Sequence, residues 1–352
     1  MKIIHCADIH LESPLGTHYT RDMANMRNAE MLSAFRYMLD YAVSESVRAV
    51  IIAGDMFDRE LISRKTADFV YNAIASHSDI DVFYLCGNHD RDGFVSHFTK
   101  LPGNLKVFSN DKMSYFYETP FRTITIIGKE SESELPRLEE SHFNIVVMHG
   151  QVGEDINLRK YENRGVDYLA LGHVHSYKKE KLDNRGVWCY SGSLCGRGFD
   201  ECGEHGFVVL DIDEKSGRCE TVFEKADNRI IYEIPIDISN LMTTTQIIEK
   251  IDIVLSDKGC TEEDFVRVVL CGSVDYTCEK DIDVILKTFE SRFFAVSLKD
   301  KTGYRIDCNS FANDRSLKGE FVKIVNEQDM SEEDKAAVIR YGIRAILGEE
   351  IC

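Results

Sequence analysis

No apolar run in this sequence approaches the roughly 18 residues needed to cross a bilayer. Its first residues, Met1-Lys2-Ile3-Ile4-His5-Cys6-Ala7, turn polar too soon for a secretory leader and read as a strand. The expectation is a soluble, cytoplasmic protein with no membrane partner. The 11 cysteines are odd in number and contain no Cys-x-x-Cys pair, which speaks against both a disulfide framework and a zinc ribbon. Several of them, Cys86 and Cys271 included, end or interrupt apolar strands, where a reduced thiol serves as a small hydrophobe. Positive charge is short as well: 42 Lys and Arg stand against 60 Asp and Glu, a formal net charge of −18. Proteins that hold nucleic acid by neutralising phosphates alone are usually basic. The balance therefore argues against autonomous tight DNA binding. It leaves room for phosphoester chemistry in which divalent cations invert the local field, or in which a partner supplies the binding surface. Prolines are few, and there is neither an internal repeat nor a low-complexity linker.

At 352 residues the chain exceeds one ordinary core. The expected division is a catalytic domain over 1–232, a small α/β unit over 233–305 and a helical region over 306–352. In the first half, β-branched runs alternate with helical segments, the pattern of an α/β sandwich. Strands are expected at 2–7, 47–53, 82–86, 143–148 and 167–171. Between the first two, Met23, Met26, Phe35, Met38, Leu39 and Ala42 recur at helical spacing, a stripe that packs on its own sheet or, alternatively, forms a homodimer face. From Trp188 to about Glu233, short strands with Gly turns suggest a second sheet packed against the first. Strand, helix, strand, helix and strand then follow as far as about Thr302, and Ser331 with Asp334 begins a capped terminal helix carrying Ile343, Ile346 and Leu347.

The chemistry lies in where the polar residues fall. Asp8 and His10, Asp55, Asn88 and His89, His149, and His173 with His175 each follow one expected strand directly. If those strands run parallel in a sheet, their carboxyl ends share one edge, and distant residues converge there. Asp8, His10, Asp55, Asn88, His149, His173 and His175 offer carboxylate, amide and imidazole donors without a thiolate, a set that suits Mn²⁺ or iron and tolerates Zn²⁺. Seven donors are too many for one octahedral ion that must also admit water and substrate. Two ions about 3.5–4 Å apart, bridged by one carboxylate, fit better. Asp55, at the start of a Gly-initiated turn, is placed to bridge. Arg59, Arg91 and Arg197 neighbour these loops and are candidate phosphate contacts. Asp58, in the same turn as Asp55, reads as an acceptor of backbone N–H groups. His5, His18, His77, His97, His142 and His205 lie outside the pattern and read as structural or surface histidines.

The ordered blocks Asp-x-His, Gly-Asp, Gly-Asn-His-Asp, His-Gly and Gly-His-x-His resemble the calcineurin-like metallophosphoesterase superfamily. The resemblance implies a four-layer αββα sandwich with a smaller α/β capping domain and C-terminal helices. It implies one metal on Asp8, His10, Asp55 and His175, and a second on Asp55, Asn88, His149 and His173. His89 would protonate the leaving oxygen or stabilise charge on the phosphoryl group, and Asp90 would orient that imidazole. The segments around Asp8 and Asp55, and Tyr190-Ser191-Gly192-Ser193, look most like the SbcD-type DNA repair exonucleases, nuclease partners of SMC-like ATPases. Ser191 stands where that branch tends to have Pro. The branch implies a Mn²⁺-dependent DNA exonuclease or endonuclease whose cap selects strand geometry and whose terminal helix docks an ATPase coiled coil. A cyclic-nucleotide or protein phosphoesterase with the same dimetal chemistry is the alternative, and a catalytically silent partner-binding subunit is a third reading.

Overall fold

The segment Ala49-Val50-Ile51-Ile52-Ala53 is apolar and buried along its whole length, as a central strand covered on both faces must be. In the computed structural model, which describes residues 1–15, 19–59, 62–87, 93–109, 113–129, 134–275, 278–305 and 316–346, this segment lies mid-sheet. Strands β1 (Lys2–Cys6), β2 (Ala49–Ala53), β3 (Asp81–Leu85) and β4 (Leu105–Val107) run parallel in that order. A second sheet takes β5 (Ser114–Glu118), β6 (Thr123–Gly128), β7 (Phe143–His149), β8 (Tyr168–Gly172), β9 (Lys178–Lys181) and β10 (Val187–Tyr190), in the order β5-β6-β7-β8-β10-β9. Its four inner strands are parallel and its two edges antiparallel.

The stretch after Trp188 departs from expectation. It forms no sheet of its own: β10 joins the second sheet, while β11 (Gly206–Ile212) and β12 (Cys219–Lys225) extend the first beyond β1 in antiparallel fashion. Hydrogen-bonding capacity explains this, since β1 and β8 would otherwise present unpaired edges.

The two sheets face each other across a core that includes Ile3, Ile51 and Phe83 from the first and Ile126, Ile145 and Tyr168 from the second. Helices α1 (Arg21–Ser44) and α2 (Arg64–Ser76) cover the outer face of the first sheet, capped at their N-termini by Thr20 and Ser63. On α1 the inward stripe is Met31, Phe35, Met38, Leu39 and Ala42. Met26 is exposed and Met23 half-buried, and Arg27 takes the core position in the N-terminal half. A short helix, α3 (Gly93–Ser96), follows β3. The outer face of the second sheet is covered by mostly irregular segments before and after β7, supplying Leu135 and Leu138, and Ile156 and Tyr161. Among the described residues their helical content is one 3₁₀ turn, Leu158–Lys160.

The chain divides into two compact units, Met1–Tyr232 and Glu233–Cys352. In the second, β14 (Phe265–Cys271), β16 (Ala295–Asp300) and β13 (Ile231–Asp237), whose first two residues fall in the first unit, make a three-stranded sheet with helices α4 (Thr244–Asp257) and α5 (Ile282–Phe289). Short strands β15 (Ser273–Asp275) and β17 (Gly303–Arg305) pair alongside. Helices α6 (Leu317–Asn326) and α7 (Glu332–Ile346) close on Val322, Val325, Ile339 and Ile343. Ser331 Oγ accepts the Asp334 N–H at 3.1 Å, as the capping pattern predicts, and Leu347 lies outside the described residues. No helix among the described residues is long and apolar enough to cross a membrane.

Candidate metal centre

The five strands that carry the chemistry divide between the two sheets. β1, β2 and β3 belong to the first, and β7 and β8 to the second. A single edge is therefore not what gathers the residues. Two mixed sheets lie face to face, and the loops leaving the parallel strands β1, β2, β7 and β8 meet at one end of the sandwich.

Local backbone geometry holds the loops there. The Asp8 N–H donates to Gly54 O at 3.1 Å, the His10 N–H to Asp55 O at 3.0 Å and the Leu11 N–H to Met56 O at 3.0 Å, so the loops after β1 and β2 are zipped side by side. Asp8, His10, Asp55 and His173 all adopt positive φ, at 50°, 49°, 49° and 98°. Non-glycine residues rarely occupy that region, and a cluster of them marks a backbone bent to aim side chains. Gly54 (φ 94°) is required twice over, because a Cβ there would stand 2.1 Å from His149 Nδ1. A Cβ on Gly87 would stand 2.0 Å from Asp55 Oδ1, which places the start of the third motif loop directly against Asp55.

Each of three imidazoles has one nitrogen beside a protein oxygen and the other turned inward. His149 Nδ1 donates to Ala53 O at 2.9 Å, leaving Nε2 buried, without a hydrogen bond, 3.2 Å from Asp55 Oδ2. His10 Nδ1 lies 3.0 Å from Asp58 Oδ1, with Nε2 3.9 Å from Asp55 Oδ2 and 4.0 Å from Asp8 Oδ1. His175 Nδ1 meets Glu201 Oε1 at 2.8 Å, and its Nε2 stands 3.3 Å from His10 Nε2 and 3.9 Å from Asp8 Oδ1. Fixing Nδ1 in this way is how proteins present Nε2 to a metal. Two groups result, Asp8 with His10 and His175, and Asp8 with Asp55 and His149, each with donor atoms within 4.8 Å of one another. Asp8 thus stands in both groups, while the Asp55 carboxylate lies between His10 and His149. His173 packs its ring edge-on against His149, centroids 5.4 Å apart, and gives its backbone N–H to both Asp8 oxygens at 3.0 and 2.9 Å.

The electrostatics fit a cation site. Burial pushes the Asp8 carboxyl up, against the pull of His149, His175 and His10. Burial disfavours the charged form of His149, but the Asp55 contact and the Asp8 charge outweigh it and raise the pKa to about 9. His175 is likewise raised, with Glu201 overcoming burial. Closely packed carboxylates without a metal thus draw protons onto their imidazoles. Divalent cations would take the place of those protons.

Asn88, His89, Asp90 and Arg91 lie outside the described residues. Arg59 is described and its side chain is exposed. Arg197, a candidate phosphate contact, is held by carboxylates: Nη1 donates to Asp58 Oδ1 at 2.7 Å, and Nε to Glu201 Oε1 at 2.9 Å. The Asp58 carboxylate, expected to accept backbone N–H groups, lies beside the side chains of His10 and Arg197. Glu201 carries no motif signal and is the residue that sequence reasoning misses. Burial alone would raise its carboxyl, yet His175 and Arg197 hold it well below the usual carboxylate range. Of the histidines read as structural, His5 donates to or accepts from Tyr168 Oη at 3.0 Å and is pushed down to about 3 by burial, while His205 bonds Ser193 Oγ and Glu201 O.

The sequence model of the family described as calcineurin-like phosphoesterase matches residues 1–177. Among curated proteins, the uncharacterized metallophosphoesterase YhaO of Bacillus subtilis is 26% identical over 300 residues, spanning 78% of this chain and 72% of that protein. The DNA double-strand break repair protein Mre11 of Archaeoglobus fulgidus is 28% identical over 228 residues, spanning 55% of this chain and 50% of its own length, so the chain aligns with half of that protein. The solved structure of TT1561 of Thermus thermophilus matches with a TM-score of 0.41 and 12% identity over 64% of this chain and 98% of that one. With the donor groups gathered at the ends of β1, β2, β7 and β8, and with the family model covering half of the sequence, the chain belongs to the calcineurin-like phosphoesterase family.

Proposed function

We propose that this phosphoesterase hydrolyses phosphodiesters in DNA with two divalent metal ions, Mn²⁺ foremost, and that it works beside an SMC-like ATPase. The observation carrying the metal chemistry is the convergence of three Nε2 atoms, from His10, His149 and His175, on the carboxylates of Asp8 and Asp55. One ion would be held by Asp8, His10 and His175, with Asp55 shared. The other would be held by Asp55 and His149, with His173 and Asn88 completing it.

Divalent ions bound there would acidify a water molecule to near-neutral pKa and neutralise charge on the phosphoryl oxygens. The chain's own residues do the rest. Asp58 and Glu201 keep the His10 and His175 rings from swivelling, and the Ala53 carbonyl does the same for His149. His89 donates a proton to the departing oxygen, oriented by Asp90. These last two roles rest on the motif Gly87-Asn88-His89-Asp90.

The choice of DNA rests on the alignment with the Mre11 protein of Archaeoglobus fulgidus and on the segments around Asp8 and Asp55. The net charge of −18 favours a second reading, a cyclic-nucleotide or protein phosphoesterase that needs no polyanion track. Incubating purified full-length protein with Mn²⁺, Mg²⁺ or Zn²⁺ and defined linear DNA, beside cyclic nucleotides and phosphomonoesters, separates them. Degradation of linear DNA is expected with Mn²⁺. Turnover of the small esters alone would remove the nuclease reading, and no turnover of any substrate would favour a silent subunit.

A further inference from the structure

We infer that Arg197 is a positioning residue that clamps the two histidines of one metal subsite, His10 and His175, across the gap between the two sheets. The inference rests on the two-metal reading above and assigns the arginine no contact with substrate.

The geometry is a chain of five groups. His10 Nδ1 faces Asp58 Oδ1 at 3.0 Å, and the same oxygen accepts from Arg197 Nη1 at 2.7 Å. Arg197 Nη2 lies 2.8 Å from Glu201 Oε1, and that oxygen is 2.8 Å from His175 Nδ1. Asp58 belongs to the loop after β2 of the first sheet, and Glu201 to the segment after β10 of the second. One guanidinium thus ties together two carboxylates, one on the loop after β2 and one on the connection from β10 to β11, each standing beside the Nδ1 of a different imidazole. Arg suits this task because its planar fork can address two acceptors in fixed directions at once, which a lysine ammonium on a flexible stem does not.

The clamp is anchored from behind. The Arg197 backbone N–H donates to Glu201 Oε2 at 2.9 Å, and Tyr19 Oη donates to Arg197 O at 3.0 Å. The preceding residue, Gly196, is pinned by fully buried Arg27, whose Nε and Nη2 donate to Gly196 O at 2.9 and 2.6 Å. Asp227 accepts the Gly196 N–H at 2.9 Å. The arginine therefore sits on a segment held to α1, with its charge spent on protein carboxylates.

His149 provides an internal control, because the backbone carbonyl of Ala53 fixes it and no part of this chain of contacts reaches it. Loss of Arg197 should loosen the subsite of His10 and His175 and spare the one containing His149. A substrate-binding arginine would leave both metal affinities intact and raise KM instead.

The test is calorimetric titration of Mn²⁺ into chelator-stripped, full-length wild type, Arg197→Gln, Arg197→Lys and Glu201→Gln. Wild type should bind two ions. In Arg197→Gln and in Glu201→Gln one binding event should weaken by about 10- to 100-fold while the other shifts by less than about threefold, with Arg197→Lys in between. The Mn²⁺ electron paramagnetic resonance signal of Arg197→Gln should change from a coupled pair to an isolated ion at sub-saturating metal, and saturating Mn²⁺ should restore kcat with KM unchanged. Thermal melts of the metal-free variants identify any that are unfolded, in which case the folded member of the pair decides. Two wild-type binding events in every variant, or equal weakening of both, overturns the clamp alone. Fewer than two ions bound by wild type overturns the dimetal reading, and the clamp with it.

Discussion

His10 and His175, 165 positions apart in sequence and on loops of different sheets, bring their Nε2 atoms to 3.3 Å with their rings edge to face. Two imidazole lone pairs at that distance repel unless a proton or a cation lies between them. Because Asp58 and Glu201 occupy the opposite ring nitrogens, neither ring can turn away without giving up a contact to a carboxylate. The site is thus prepared for positive charge before any metal arrives.

The pH response follows from His149, whose pKa is raised to about 9, with burial opposed and outweighed by Asp55 and Asp8. A folded-state pKa above the unfolded value stabilises the fold fully below the unfolded pKa, about 6.5, and that contribution fades as pH rises through the folded one. Metal-free protein should accordingly lose stability between roughly pH 6.5 and 9 in urea titrations. Mn²⁺ competes with the same proton for Nε2, so its affinity should rise over that window by up to about tenfold per pH unit. A metal-free stability that is flat or increasing there would rule out a charged Asp55–His149 pair.

Gly54→Ala should damage both fold and site. The positive φ of 94° costs an L-residue about 1–2 kcal/mol, and the new methyl would overlap His149 Nδ1 at 2.1 Å. Denaturation and elemental analysis should show lower stability together with reduced metal content. A variant with wild-type metal content would mean that His149 does not depend on this approach.

Arg27→Ala should cost roughly 3–5 kcal/mol, the range for breaking a buried ion pair. Arg27 is fully buried and bonds Gly196 O, Asp227 and Glu30, and the Asp227 side chain is only 2% exposed. Its removal leaves that carboxylate and the Gly196 carbonyl without their principal donor. Equilibrium urea unfolding measures the effect, and a change under 1 kcal/mol or so would show that water replaces the guanidinium.

His89→Ala is expected to lower turnover by about 10²–10⁴-fold while metal content stays near that of wild type, as befits a proton donor that is not a ligand. Single-turnover kinetics with matched metal analysis provide the check. Comparable rates would take His89 out of the mechanism.

Some of this site is legible in the sequence because its signals are local. Asp8, Asp55, His149 and His173 each come immediately after or at the end of an apolar, β-branched run, and the position of a donor just past a strand depends on that strand alone. Pairing partners are not local. Nothing in the runs of β2 and β7 says that they lie in different sheets, or that β11 and β12 extend the first sheet. Met26 follows the helical stripe but faces solvent, and Arg27 next to it takes the inward place.

The sequence by itself determined which side-chain types stand at the strand ends, carboxylates and imidazoles with no thiolate, in an order that resembles phosphoesterases. Only the tertiary structure decided which nitrogen of each histidine faces inward, and which of 60 acidic residues does the orienting. Glu201 and Asp58 are selected by distances of 2.8 and 3.0 Å to rings elsewhere in the chain, and Arg197 by lying between them. A side chain's type is written at its own position, whereas its hydrogen-bond partner is set by how two sheets pack, and that depends on every residue in the core between them.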